Sequence, residues 1–180
     1  MDFYIFNGYV MIYITDEEID KFIKDDVPYW DITTELLGIR SNATLIISNR
    51  KNECILCGTE EAVRIAKKLD LDVNYFKPSG TILKPNEAFF EAYGDAKSVH
   101  KAWRVCLNIL EYMSGIATKT YEMVRKAKSV NSDVEIVTTR KTIGFNKSLT
   151  IKSIITGGAL PHRLGLSESV LIFDQHKIFF

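Results

Sequence analysis

Cationic and polar side chains gather behind short apolar runs in the last quarter of the chain. Thr139, Arg140 and Lys141 follow the run at 134–137. His162 and Arg163 come shortly after Gly157 and Gly158, and Asp174, Gln175 and His176 follow the run at 170–173. Arginine offers a planar bidentate fork and lysine a compact point charge, a combination suited to carboxylates and phosphates. Adjacent glycines permit a tight turn and close backbone approach to a ligand. In α/β barrels and sheets, buried strands deliver such residues at their C-terminal ends. The pattern therefore predicts a polyanion pocket, although the same cations, taken singly, also suit a solvated surface. By the same reasoning Arg104, between Trp103 and Val105, is an ordinary helix-surface arginine. Cys54 and Cys57 have metal-like spacing without a second pair, and neither a Walker loop nor a GxGxxG fingerprint is present.

The elements that must hold these residues follow from local pattern. Thr15 and Glu18 form a capping box for a helix that should stop before Val27 and Pro28. Residues 26–34 read as a turn-rich loop. Strands are expected at 43–48, 54–56, 73–76, 81–83 and 88–92, with a helix at 59–69. Ser98 should cap a long helical region carrying Val99, Trp103, Cys106, Leu107, Leu110 and Met113, weakened at Ser114 and Gly115. From about Asp133 the order becomes strand, loop, helix, strand, loop, strand, which implies a parallel α/β arrangement. Residues 11–97 are thus expected to form an α+β domain, and 98–180 a linking helix with the first part of an α/β barrel.

The formal net charge is zero, which argues against a general nucleic-acid binder and makes any cationic site local. A hydrophobic content of 46% is enough to bury a core. Three cysteines make no disulfide framework and fit a cytoplasmic protein. The apolar start lacks a basic n-region and a cleavage site, so neither a signal peptide nor a membrane span is expected. Met11 is a possible alternative start.

Several of these residues lie in segments that resemble the quinolinate phosphoribosyltransferase (nicotinate-nucleotide pyrophosphorylase) family. They are Thr139 to Thr142, the stretch from Gly157 through His162 and Arg163 to Leu166, and Leu171 to His176. Residues 108–118 are similar to the family's LNxLxxxSGIAT helix. Residues 26–34 are similar to its GDxTT loop, with Trp30 in place of glycine. The resemblance covers about Met11 to the end, and its style is that of the ModD subfamily, associated with molybdenum-transport operons.

The resemblance implies an N-terminal open sandwich packed on an α/β barrel, expected to be truncated here. It also implies a homodimer with a shared active site. The reaction implied is transfer of a phosphoribosyl group from phosphoribosyl pyrophosphate to a pyridine carboxylate-like acid, as in NAD biosynthesis. Thr139, Arg140, Lys141, His162 and Arg163 would line the acid pocket, with Arg140 and Lys141 catalytic, and Arg104 would reach the partner subunit's site. Magnesium is expected for the family, while its usual ligands fall outside the chain. Phe173 stands where the family has a lysine, which points to a less anionic acid. Gly144 and Phe145 replace the usual Pro-Gly. The other reading is a non-catalytic acid-binding or dimerising remnant.

Overall fold

The computed structural model describes residues 3–6, 9–142, 147–167 and 169–180, with side chains from Ile12 onward. Gly144 and Phe145 lie outside the described residues. A hairpin of β1 (Phe3–Phe6) and β2 (Tyr9–Ile12) comes first, then α1 (Asp16–Asp26) and α2 (Ile32–Leu37). The capping box starts α1 as expected: Thr15 Oγ1 accepts from the Glu18 amide at 3.2 Å, and Glu18 accepts from the Thr15 amide at 2.8 Å. Residues 26–34 are more than a loop, because Asp31 caps α2 by accepting from the Thr34 amide at 3.1 Å.

The first core forms under a three-stranded antiparallel sheet in the order β3 (Asn42–Ser48), β7 (Ala88–Asp95), β5 (Asp72–Phe76). Alternation along the strands turns Leu45, Ile47, Phe90 and Ala92 inward, while Ile46 and Tyr93 face out. Helices α3 (Thr59–Lys68) and α4 (Ala96–Val130) contribute to that core with Ala62, Ile65, Ala66, Val105, Cys106 and Met113. Each large side chain buried there contributes roughly 1.5–3 kcal/mol. A second pair, β4 (Cys54–Ile55) and β6 (Ile82–Leu83), lies beside α4.

Helix α4 differs from expectation at two points. It begins two residues before Ser98, because Asp95 is its cap and accepts from the Lys97 amide at 3.0 Å. It also runs unbroken through Ser114 and Gly115 for 35 residues, about 50 Å. Ser114 accepts from the Cys57 amide at 3.0 Å and donates to the Cys57 carbonyl at 3.2 Å. Thr118, one turn on, accepts from the Ile55 amide at 2.9 Å. The small polar residues that suggest a weak helix thus bind the backbone of β4 and the residues just after it.

The remaining elements are β8 (Val137–Thr138), α5 (Lys147–Thr156) and β9 (Leu160–Pro161), with β8 and β9 parallel. Helix α5 packs on α4, and Leu149 joins the first core, so one core crosses the expected boundary near residue 97. Ile12, Ile151 and Leu164 form a smaller cluster. Gly157 is tightly held: a Cβ there would lie 2.5 Å from the Ala117 carbonyl oxygen. Gly157→Ala should therefore cost about 1–3 kcal/mol through overpacking, read as a lowered thermal midpoint.

The expected strand at 134–137 shortens to Val137–Thr138, and the one at 170–173 does not form. Val170 and Ile172 are exposed, and the chain turns directly into α6 (Asp174–Lys177). An apolar run becomes a strand only where a neighbouring edge accepts its hydrogen bonds, and no described strand pairs with these residues. No helix of the described residues is long and apolar enough to cross a membrane.

Candidate active site

The two parallel strands bring the expected cations together. Leu160 donates to the Ile136 carbonyl at 2.9 Å, and His162 to that of Thr138 at 3.1 Å. The ladder so extended sets His162 beside the turn that starts at Thr139. In that turn the Thr142 amide donates to Arg140 O at 2.9 Å and the Lys141 amide to Thr139 Oγ1 at 3.3 Å. Arg140, Lys141 and His162 are exposed, and among the described residues their side chains make no hydrogen bond or ion pair. Arg163 is half-buried and partly committed, its Nε donating to Gly165 O at 2.8 Å. Three uncommitted cationic or cation-capable groups at adjoining strand ends can take up a small polyanion.

Arg104 lies at the same end of the molecule but is not brought into contact with them. The start of α5 meets α4 at Tyr112, whose hydroxyl is 2.9 Å from Thr150 Oγ1, and its far end meets Ala117 and Thr120 at Gly157. The two helices therefore run in the same direction. The strand ends that lead into α5 face the N-terminal part of α4, where Arg104 stands two turns before Tyr112, exposed and unpaired among the described residues. A cleft of about 250 Å³ lies in this part of α4, lined by Phe22, Asp26, Val105, Asn108, Tyr112 and Leu149.

The remaining chemical candidates are placed differently. Asp174, Gln175 and His176 occupy an exposed helical turn instead of a strand end. Phe173 stacks on His176 with centroids 6.0 Å apart, and His176 Nδ1 accepts from the Phe173 amide at 3.0 Å. Cys57 is buried with its sulfur 3.4 Å from Thr156 Oγ1, and burial raises the pKa of its thiol. Cys106, also buried, is pushed up to about 12. Among the described residues no three His, Cys, Asp or Glu side chains converge to hold a metal ion, so these residues do not by themselves fit a magnesium site.

One arrangement escaped sequence reasoning. Lys152 on α5 bonds Glu61 at 2.8 Å and Glu60 at 3.0 Å on α3, and Glu60 also accepts from the Ser79 amide at 2.9 Å and hydroxyl at 2.5 Å. Burial alone would lower the Lys152 pKa, but the two carboxylates outweigh it and raise the value. Burial pushes Glu60 up, yet Lys152 and Ser79 bring it below the ordinary carboxylate value. The cluster fixes α5, and with it the strand ends on either side, against the first core.

The signs set a pH window. The Glu60 contribution is complete above the usual carboxylate range and is lost as pH falls through its depressed value. The Lys152 contribution is complete below the usual lysine value and is lost as pH rises through its raised one. Thermal melts should therefore fall off at both limits, and Glu60→Gln should shrink the acid limb selectively.

Comparison with known proteins matches both halves of the chain to one family. The model for "Quinolinate phosphoribosyl transferase, N-terminal domain" matches residues 31–114, and that for the C-terminal domain matches residues 116–180. A putative pyrophosphorylase ModD of Pasteurella multocida is 34% identical over 93% of this chain and 59% of its own length. A probable carboxylating nicotinate-nucleotide pyrophosphorylase of Methanocaldococcus jannaschii is also 34% identical, over 88% of this chain and 55% of its own. The solved nicotinate-nucleotide pyrophosphorylase of Francisella tularensis superposes with a TM-score of 0.82 at 27% identity, covering 92% of this chain and 60% of that one. The chain thus spans somewhat over half the length of the relatives it matches.

Proposed function

The chain belongs to the quinolinate phosphoribosyl transferase family, and we propose that it serves phosphoribosyl transfer to a planar aromatic carboxylic acid. The observation that carries this reading is the trio Arg140, Lys141 and His162 at the ends of β8 and β9, uncommitted among the described residues. In the proposed step a ring nitrogen of the acid forms a bond to the anomeric carbon of phosphoribosyl pyrophosphate. The C–O bond to pyrophosphate breaks, and its electron pair leaves with the pyrophosphate. Arg140 and Lys141 orient the carboxylate and offset negative charge as the ribose becomes oxocarbenium-like. Phe173 brings no cation, so a monocarboxylate or a differently substituted ring is favoured over the dianion.

A second copy is part of this proposal. Leu36 and Leu37 on α2 are exposed. Together they give an apolar patch suited to a homodimer interface near Arg104. A second reading is acid binding without transfer, which the same cations at the ends of β8 and β9 would also support.

Pyrophosphate release from phosphoribosyl pyrophosphate, assayed with magnesium and a panel of pyridine carboxylates, separates the two readings. Transfer predicts release with at least one acid. Binding alone predicts that an acid raises the melting temperature while phosphoribosyl pyrophosphate neither shifts it nor is consumed.

A further inference from the structure

His100 is held by a relay that the acid pocket does not use. Thr34 is almost fully buried. Its hydroxyl lies 2.5 Å from Asp31 Oδ2 and 2.9 Å from His100 Nδ1. A hydroxyl has one proton to give, and Asp31, which also accepts the Thr34 amide, takes it as a carboxylate. The Thr34 bonds hold the Asp31 carboxyl below its ordinary value. Thr34 Oγ1 must then accept from His100, which puts the imidazole proton on Nδ1 and leaves Nε2 with no partner among the described residues.

The surroundings of that nitrogen are specific. His100, Arg104 and Asn108 follow one another at four-residue spacing and share a face of α4. The segment from Asp26 to Thr34 is pinned to this face at both ends: Asn108 donates to Asp26 at 2.7 Å, and His100 meets Thr34. Between the two anchors, on the same face, stands the unpaired Arg104, and the pinned segment carries exposed Tyr29 and Trp30. Further charges close to His100 in the chain or on the packed helix are Glu35 on α2, paired to Lys97 at 2.7 Å, and Lys101 on α4 itself. An uncommitted guanidinium, an oriented imidazole one turn away and two exposed aromatic rings on one short segment suit a planar aromatic anion.

We propose that His100 is an anion-binding residue that works with Arg104, taking up a proton on Nε2 when an aromatic carboxylate binds. Protonation turns Nε2 from an acceptor into a charged donor, and Asp31 balances the new charge across the Thr34 hydroxyl. This rests on the proposed aromatic-acid reading and adds to it a residue and a proton.

Two measurements on the full chain test it. Long-range ¹H–¹⁵N spectra at mildly alkaline pH, with the three histidines assigned by substitution, should show neutral His100 as the Nδ1–H tautomer. Thr34→Val should move it to Nε2–H, and an Nε2–H tautomer in the unsubstituted protein would overturn the relay. Calorimetric titration with pyridine-2,3-dicarboxylate and pyridine-3-carboxylate, in buffers of differing ionisation heat, should show about one proton taken up per acid bound. His100→Gln should abolish the uptake and weaken binding about tenfold, with thermal melts confirming the fold. Thr34→Ser, which keeps the hydroxyl, should retain the uptake. Uptake unchanged in His100→Gln would sink the role of His100 while leaving acid binding intact. Failure of both acids to bind the unsubstituted protein would remove the aromatic-acid reading and this inference with it, whatever the tautomer.

Discussion

Lys152→Met should destabilise the chain by about 3–5 kcal/mol, because it strips a buried carboxylate of its cation. The Glu61 side chain is only 5% exposed and both its oxygens lie 2.8 Å from the lysine nitrogen, so water cannot replace the lost partner. For a chain of this size the melting midpoint should drop by roughly 10 °C. The double variant Lys152→Met with Glu61→Gln should recover part of the loss, since the remaining amide carries no charge. Chemical denaturation of the single and double variants reads the coupling directly. Equal stabilities would mean that Glu61 needs no counter-charge. The surface pair Lys21 with Asp25 makes the contrast: both side chains are more than half exposed, and a pair of that kind contributes less than about 1 kcal/mol.

Arg140→Ala should reduce transfer, measured as pyrophosphate release, about 100-fold while leaving the melting midpoint unchanged within a degree or two. The residue is exposed and makes no hydrogen bond with its side chain among the described residues, so the fold loses nothing when it is truncated. On the proposed reading, truncation removes a charge-assisted bond to the acid and a group positioned near the reacting centre. Arg140→Lys should recover only part of the activity, because an ammonium cannot reproduce the bidentate fork. Unchanged release by Arg140→Ala would remove this residue from the site.

Much of this was readable in the chain. The strand–helix–strand order after Asp133 requires parallel pairing, since a helix brings the chain back to the same end of the sheet. That alone placed Arg140, Lys141 and His162 side by side. The capping box at Thr15 and the alternation in β3 are equally local. Helix α2 was not readable: of its six residues only Thr34 is buried, so it has no apolar period, and Asp31 reads as a turn residue until its cap is seen. The run at 170–173 has the composition of a strand, but pairing is a property of the neighbour and not of the run. The role of Lys152 was not readable, because its two carboxylates are about ninety residues away in sequence. The relay at His100 was hidden for the same reason, joining residues 66 apart.

The hydroxyls of Ser114 and Thr118 have a consequence for how the molecule opens. The amides of Ile55 and Cys57 donate to these side chains on α4 and not to a neighbouring strand. Their exchange with deuterium in solvent is therefore gated by separation of α4 from β4, whereas the amides of β3 and β7 wait on the sheet itself. Two adjacent probes, two residues apart, thus report a single event: the long helix lifting from the seam that Gly157 and Ala117 close on its other side.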